Sequence, residues 1–250
     1  MRVRFSDGAK AVFKAEQRNA SSNYRAEIAA YHLDRWLGLG RVAPVAGRAL
    51  PLAWLRAHLA TDSATLARLD QEVLVEGNRV WGALIAWHNK TPVVAEPPSG
   101  WLLRMSPSDL GEPREQILAW SDMILFDTLI DNTDRWSGGN VMTLGPGGPL
   151  IFLDNASAFL GHRVRQGAFL SKPLVQVCRF RRSTVEALRR VGPDAPREHR
   201  LSARMASSLA TDLAAPVLTS AHLEALDARL ARVLQHIEGC LERYGEEALD

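Results

Sequence analysis

The stretch DTLIDNTDRWSGGNV, residues 127 to 141, limits the fold more than any other part of the sequence. Apolar residues recur at helical spacing from Glu115 onward. The helix must end near Asp131 and Asn132, because Asp and Asn favour caps and turns over helix interiors. NVMTL, the turn GPGG and PLIFL then predict two short strands in a hairpin, and Asp154 follows the second strand. The sequence therefore predicts a helix, an acid-rich loop, a hairpin and a further acid, in that order.

The first part of the chain predicts a hairpin followed by a helix. RVRF, SDGA and KAVFKA predict the hairpin, because polar and apolar residues alternate on both sides of a turn. SSNYRAEIAAYHLDRWLGLG carries apolar residues at helical spacing. Ser22 or Asn23 can cap the start of this helix, and Gly38 or Gly40 can end it.

The remaining segments complete the outline. RVAPVAGRAL predicts an extended segment, because Pro44 forbids helix continuation. A polar helix is expected near residues 52–70, and VWGALIAW predicts a strand. NKTPVVAEPPSGW is rich in proline and predicts a hinge or lobe boundary. Beyond about residue 165 the pattern is helical and includes a long final helix.

These elements predict an α+β fold with two lobes. A small β-rich N-lobe with one helix occupies residues 1–90, and a Pro-rich connection occupies residues 91–114. A larger, mainly helical C-lobe occupies residues 115–250 and holds the central hairpin. At 250 residues the chain is long enough to bury a substantial core.

Composition argues against several classes of function. A net charge of +2 is too small to indicate a nucleic-acid partner or an anionic membrane surface. No apolar run approaches the roughly 18 residues that a membrane span requires. No apolar signal-peptide core follows Met1, so the sequence as it stands predicts a soluble cytoplasmic protein. Cys178 and Cys240 are the only cysteines; counting leaves two buried thiols or one disulfide, and it favours the thiols.

The acids that flank the hairpin suit phosphoryl transfer from ATP. That reaction needs one carboxylate to accept the proton of the nucleophile and another to hold a metal ion on the phosphates. Asp134 suits the first role and Asp154 suits the second. The hairpin can bring Asn140 close to Asp154, where its amide oxygen would be a second ligand for a hard cation such as Mg²⁺.

The N-lobe supplies the two remaining groups of such a site. Lys14 lies in a predicted strand and Glu27 in the following helix, and kinase-like sites hold nucleotide phosphates with such a pair. Each residue alone has a simpler explanation. Asp154 would be a turn residue, Lys14 a solvated strand end and Glu27 an exposed helix residue. DNTDR would be a helix cap with a local Asp–Arg pair. The order of these residues along the chain favours the joint interpretation.

Longer segments resemble one family of kinases. They are AEIAAYHLDRWLGLGRVAPVAGR (26–48), ILFDTLIDNTDRWSGGNV, LIFLDNASAF, KPLVQVCRFRRSTVEALRRV and APVLTSAHLEALDARLARVLQHIEGCLERYG. All are similar to the secreted kinases called family with sequence similarity 20, and the catalytic segments also resemble the four-jointed kinase. The family includes a Golgi casein kinase that phosphorylates Ser and a xylosylkinase. The resemblance runs from about residue 3 to 245.

The resemblance implies an atypical, protein-kinase-like two-lobed fold and an ATP-dependent kinase. The acceptor would be a Ser or Thr hydroxyl of a protein, with a glycan xylose as the alternative. A pseudokinase that binds nucleotide or activates a partner is the further alternative, although Glu27, whose loss would indicate one, is present.

The resemblance also implies roles for individual residues. Lys14 contacts the phosphates of ATP, and Glu27 pairs with Lys14 and helps to bind the metal, Mn²⁺ or Mg²⁺. Asp134 is the catalytic base, and Asp154 is the metal-binding acid.

Further positions follow from the same resemblance. GALIAWHN falls where the hinge strand of the family meets the adenine, so Ala86 and Trp87 become neighbours of the nucleotide. Asn140 becomes a metal ligand; its distance from the catalytic base is one residue longer than in the general kinase pattern, and the paired glycines can absorb the extra residue. Because the cysteines of the family are bonded, the resemblance implies a Cys178–Cys240 disulfide.

The sequence departs from the family at several points. The first strand and most of the glycine-rich lid are not seen, which leaves SDGAK as the lid, and NKTPVVAEPPSGW stands in place of a cysteine-rich insert. If a leader precedes Met1, the resemblance implies a secreted protein or one in the secretory-pathway lumen. It also implies a protein or glycan substrate and a homodimer or heterodimer. Arg179, Arg181 and Arg182 would bind an acidic substrate or form a solvated helix face, and the second is favoured.

Overall fold

The structure is a computed structural model, and it describes residues 1–18, 23–88, 92–97, 100, 105–106, 114–136, 139–160 and 174–250. Helix α1 (Tyr24–Leu37) lies at the centre, with an N-terminal sheet on one side and C-terminal helices on the other. The side chain of Asn23 accepts a hydrogen bond from the amide of Arg25, and Gly38 ends the helix with φ +69°. Both were predicted as caps, because Asn accepts at N-caps and Gly tolerates the left-handed conformation.

The N-terminal sheet has four strands in the order β1-β2-β4-β3, and every neighbouring pair is antiparallel. The strands are β1 (Arg2–Arg4), β2 (Lys10–Ala15), β3 (Val45–Pro51) and β4 (Arg79–Ala86). The predicted hairpin, extended segment and strand are all confirmed.

Two short helices cover one face of this sheet. They are α2 (Leu52–Leu59) and α3 (Ser63–Glu72), where the sequence predicted one polar helix near residues 52–70. Asp62 breaks the segment, because its side chain caps α3 by accepting from the amide of Thr65. A small apolar cluster of Phe13, Leu55, Leu69, Val73 and Val80 joins the two helices to the sheet. Among its described residues the N-terminal part therefore carries α1, α2 and α3, where the two-lobed outline had one helix.

A second sheet follows in the chain. Its strands are β5 (Pro92–Val94), β6 (Val141–Leu144) and β7 (Leu150–Phe152), antiparallel in that order. The hairpin of β6 and β7 was predicted, whereas β5 lies in the segment that was predicted as a Pro-rich connection. The boundaries of the lobes stay a prediction.

The C-terminal half is mainly helical, as predicted. Helix α4 (Arg114–Ile130) is apolar nearly all round and is buried accordingly. Helices α5 (Arg182–Arg190), α6 (Leu201–Leu209) and the long α7 (Ser220–Tyr244) follow in the chain. Of these, α7 packs directly on α4, and both α5 and α6 contact α1 and α7. Within the part of the chain that the structure describes, no helix combines the length and the apolar character needed to cross a lipid bilayer.

The arginine cluster of CRFRRS is a solvated helix face only in part, because Arg182 is exposed at the start of α5 whereas Arg179 and Arg181 are less accessible. Arg179 is fully buried and its Nε donates to Asp250 at 2.9 Å. Arg181 binds Asp122, and Arg182 binds Glu246, each at 2.9 Å. A sequence pattern cannot show that these three neighbouring arginines have carboxylate partners that lie far away along the chain.

Cys178 and Cys240 form a disulfide, with Cα atoms 5.2 Å apart. The pairing implied by the family resemblance is confirmed, and the preference for two thiols that counting gave is wrong. The bond joins the segment before α5 to the last turns of α7, and it spans 62 residues of sequence.

Removing this disulfide should destabilise the protein strongly. Closing a loop of this length lowers the entropy of the unfolded chain, and we expect the Cys178→Ala/Cys240→Ala variant to lose about 4 kcal/mol of unfolding free energy. Urea titration with and without a thiol reductant measures the change. The reductant should lower the unfolding midpoint of the parent and leave that of the variant unchanged. An equal response of both proteins to the reductant would contradict the bond.

Candidate active site

Lys14 binds two carboxylates that come from distant parts of the chain. Its Nζ donates to Glu27 Oε1 on α1 and to Asp154 Oδ1, the latter at 2.7 Å. Glu27 is 2% exposed, whereas the side chain of Asp154 is half exposed. Burial lowers the pKa of Lys14, but the two carboxylates outweigh burial and the net pKa is raised. The side chain is therefore a cation at neutral pH, held between two acids.

The secondary structure explains why these three residues meet. Side chains alternate across β2, so that Phe13 faces the cluster beneath α2 and α3 while Lys14 faces the other side, toward α1. Gly82 on β4 lets the strands approach closely, because a Cβ there would lie 2.3 Å from the carbonyl oxygen of Lys14. Asp154 follows β7 with φ +49°, a left-handed conformation that Asp adopts more readily than most residues.

Asp134 and Asn140 both lie in the segment between α4 and β6. The amide nitrogen of Asn140 donates to the carbonyl oxygen of Asp134 at 2.7 Å and to its Oδ2 at 3.1 Å. The backbone amide of Asp134 donates to Asn132 Oδ1 at 3.0 Å. Because Nδ2 of Asn140 is engaged, Oδ1 is the atom of this amide that could bind a cation.

A cavity of about 370 Å³ connects most of the predicted site residues. Its polar lining includes Lys14, Glu27, Asn140 and Asp154. Its apolar lining includes Val45, Ile85, Met142 and Phe152, and the predicted hinge residues Ala86 and Trp87 also line it. Asp134 is not a lining residue, but it is hydrogen-bonded to one. An apolar cavity with a few convergent charges suits a planar base that carries phosphates.

Three residues with a place in this site were not singled out in the sequence. His88 lines the cavity, and its Nε2 is buried without a hydrogen-bond partner in the described part of the chain. Burial lowers the pKa of His88, so its imidazole is neutral. Arg135 follows the predicted catalytic base Asp134, Asn155 follows the predicted metal-binding acid Asp154, and both are almost fully buried. The sequence signal that could have indicated Arg135 and Asn155 was their position directly after Asp134 and Asp154.

A known protein family matches the C-terminal part of the chain. The family described as "Golgi casein kinase, C-terminal, Fam20" matches residues 108–249. Mouse pseudokinase FAM20A is 30% identical, over 98% of this chain and 54% of its own length. Human extracellular serine/threonine protein kinase FAM20C is 30% identical, over 89% of this chain and 44% of its own length. Zebrafish (Danio rerio) glycosaminoglycan xylosylkinase is 31% identical, over 94% of this chain and 65% of its own length. The chain spans about half the length of the first two relatives.

Solved structures of similar proteins agree with this match. The structure of hydra Fam20 with sugar is 27% identical, with a TM-score of 0.76 over 99% of this chain and 83% of that one. The Golgi casein kinase with Mn/ADP bound is 22% identical, with a TM-score of 0.70 over 98% of this chain and 70% of that one. The fold class predicted from the sequence and the family resemblance are both confirmed.

Proposed function

The chain belongs to the Fam20 family of Golgi casein kinase C-terminal domains, and on that premise we propose that it is an ATP-dependent kinase. It transfers the γ-phosphate of ATP to a hydroxyl acceptor, for which we propose Ser or Thr of a protein. The alternative acceptor is xylose in a glycan, because a xylosylkinase is among the similar proteins.

One observation carries this proposal: Lys14, Glu27 and Asp154 meet although they are far apart in the sequence. Asn140 lines the same cavity, and Asp134 is hydrogen-bonded to Asn140. A pseudokinase that binds nucleotide could keep the same charges, and FAM20A, which is named a pseudokinase, is equally similar in sequence. Catalytic turnover is therefore the property to test.

The residues fit a hard divalent cation. Carboxylate oxygens of Asp154 and Glu27 and the amide oxygen of Asn140 are the donors that Mg²⁺ and Mn²⁺ prefer, and neither thiolate nor imidazole is among them. When bound with ATP, the ion would neutralise phosphate charge. We propose Mn²⁺ or Mg²⁺ as the metal and Asp154, Glu27 and Asn140 as its ligands.

The chain's own groups perform the remaining steps. Lys14 binds the phosphates, and Glu27 holds Lys14 in place. The apolar wall with Ala86 and Trp87 receives the adenine. Asp134 orients the acceptor hydroxyl in line with the γ-phosphate and accepts its proton as the new P–O bond forms and the bond from the γ-phosphorus to the leaving ADP breaks. Positioning and charge neutralisation supply most of the reduction in the barrier.

The compartment and the assembly belong to the same proposal. We place the protein in the secretory pathway or outside the cell, because a disulfide persists in oxidising compartments and two similar proteins are named for the Golgi or the extracellular space. A homodimer or heterodimer stays a prediction.

Transfer of labelled γ-phosphate with Mn²⁺, to a casein-like protein and separately to a xylose-containing glycan, tests the activity. Labelled protein supports the first acceptor and labelled glycan alone supports the second. Asp154→Ala is the negative control. If the parent and this variant both bind ATP and show the same negligible transfer, the protein is a binding module and the kinase proposal is lost.

A further inference from the structure

The guanidinium of Arg135 is buried beneath the site and all of its nitrogen atoms are engaged. Arg135 is 1% exposed. Its Nε donates to both carboxylate oxygens of Asp127 at 3.1 and 2.9 Å, and Nη2 donates to the first of them at 3.0 Å. Asp127 lies on α4, so this pair anchors the guanidinium to the rigid core of the C-terminal half.

The other contacts of Arg135 are with the segments that carry the site residues. Nη1 donates to the carbonyl oxygens of Asn140, at 2.9 Å, and Leu153. Nη2 donates to Asn155 Oδ1 at 2.6 Å. Leu153 and Asn155 flank Asp154 in the chain, and Arg135 itself follows Asp134. A planar guanidinium fixes the directions of its donors, so one side chain sets the relative positions of these loops.

Asn155 extends this network to the N-terminal half. Its amide nitrogen donates to Glu27 Oε2 at 3.3 Å, and its backbone amide donates to Glu27 Oε1 at 3.1 Å. Glu27 Oε1 also accepts from Lys14. The amide of Asn155 therefore presents its oxygen to the guanidinium of Arg135 and its nitrogen to the carboxylate of Glu27, and a carboxylate in its place could not donate to Glu27.

We propose that Arg135 and Asn155 are positioning residues for the transfer reaction, with Asn155 the link through which Arg135 fixes Glu27. This inference rests on the proposed function. Both residues act through Asp134, Asn140, Glu27 and Asp154, and Asn155 also lines the cavity beside them. A merely structural role would show as lost stability, whereas a positioning role shows as lost nucleotide affinity and turnover in a folded protein.

The substitution Asn155→Asp separates these roles. It keeps the size and the acceptor for Arg135, but it replaces the donor to Glu27 by a second carboxylate. We expect affinity for Mn·ADP to fall roughly 10- to 100-fold and turnover to fall at least as much, which is the range for residues that orient metal ligands. Asn78→Asp is the matched control, because Asn78 is exposed in the turn before β4. It should behave like the parent.

Calorimetric titration with Mn·ADP, thermal unfolding and the transfer assay complete the test. Asn155→Ala, which removes the link without adding charge, should weaken Mn·ADP binding less than Asn155→Asp, and it decides the matter if the latter does not fold. Parent-like Mn·ADP affinity in a folded Asn155 variant overturns the inference, and so does a loss that only accompanies unfolding. A parent that binds Mn·ADP without transfer ends the kinase proposal, yet the binding comparison still decides the role of Asn155.

Discussion

Replacing Asp134 by Asn should reduce phosphate transfer by roughly 10²- to 10⁴-fold, the range for losing a general base. The change removes the proton acceptor and preserves the shape of the side chain. In the parent, Asn140 donates to Asp134 Oδ2 at 3.1 Å. The oxygen of the new amide can still accept this hydrogen bond. Affinity for Mn·ADP should therefore stay within about twofold of the parent, so that the loss lies in kcat.

Asp70→Asn is the matched control for this variant. Asp70 is exposed on α3, where it pairs with Arg56 and does not line the cavity, and the same chemical change there should leave kcat unaltered. The kinetics of both variants are measured with saturating ATP. Transfer by Asp134→Asn at a rate close to that of the control would remove Asp134 from the mechanism.

The substitution Asp154→Asn should abolish both metal-nucleotide binding and transfer. A metal ligand contributes several kcal/mol to transition-state stabilisation, and a loss of about 4 kcal/mol corresponds to roughly 10³-fold in rate. The ion pair with Lys14 is half exposed on the Asp154 side, so its loss should cost less than about 1 kcal/mol of unfolding free energy. Activity and stability should therefore separate clearly.

The two variants are diagnostic as a pair. Titration with Mn·ADP should detect binding to Asp134→Asn and none to Asp154→Asn, because only the second residue is a proposed metal ligand. If both variants bind Mn·ADP with the affinity of the parent, Asp154 does not hold the metal. If neither binds, the separation of a base from a metal ligand is wrong.

The site residues that could be predicted from the sequence are charged residues next to clearly predicted strands and helices. Lys14 and Asp154 stand at the ends of apolar strands and Glu27 in the first turns of an amphipathic helix, so the order of the elements predicted that they converge. The interpretation of DNTDR as a local Asp–Arg pair was correct in one respect, namely that its arginine binds an aspartate. Arg135 does pair with an aspartate, but its partner is Asp127 on the preceding helix rather than Asp134.

The residues that were missed depend on burial, which a single sequence does not display. A charged residue in a polar loop is ordinarily solvated, so nothing indicated that Arg135 is 1% exposed. Strand β5 is three residues long, begins with Pro and exists only because β6 offers an edge to pair with. Counting could not favour the disulfide, because the contact between Cys178 and Cys240 depends on how α7 packs against the rest of the chain.

The most direct test of the central claim is anomalous diffraction near the manganese edge from crystals grown with Mn·ADP. We expect one manganese peak within coordination distance of the carboxylates of Asp154 and Glu27, with Lys14 Nζ hydrogen-bonded to a phosphate of ADP. The adenine should lie beside Ala86 and Trp87. A manganese peak remote from Asp154, or an ADP molecule bound outside this cavity, would contradict the account.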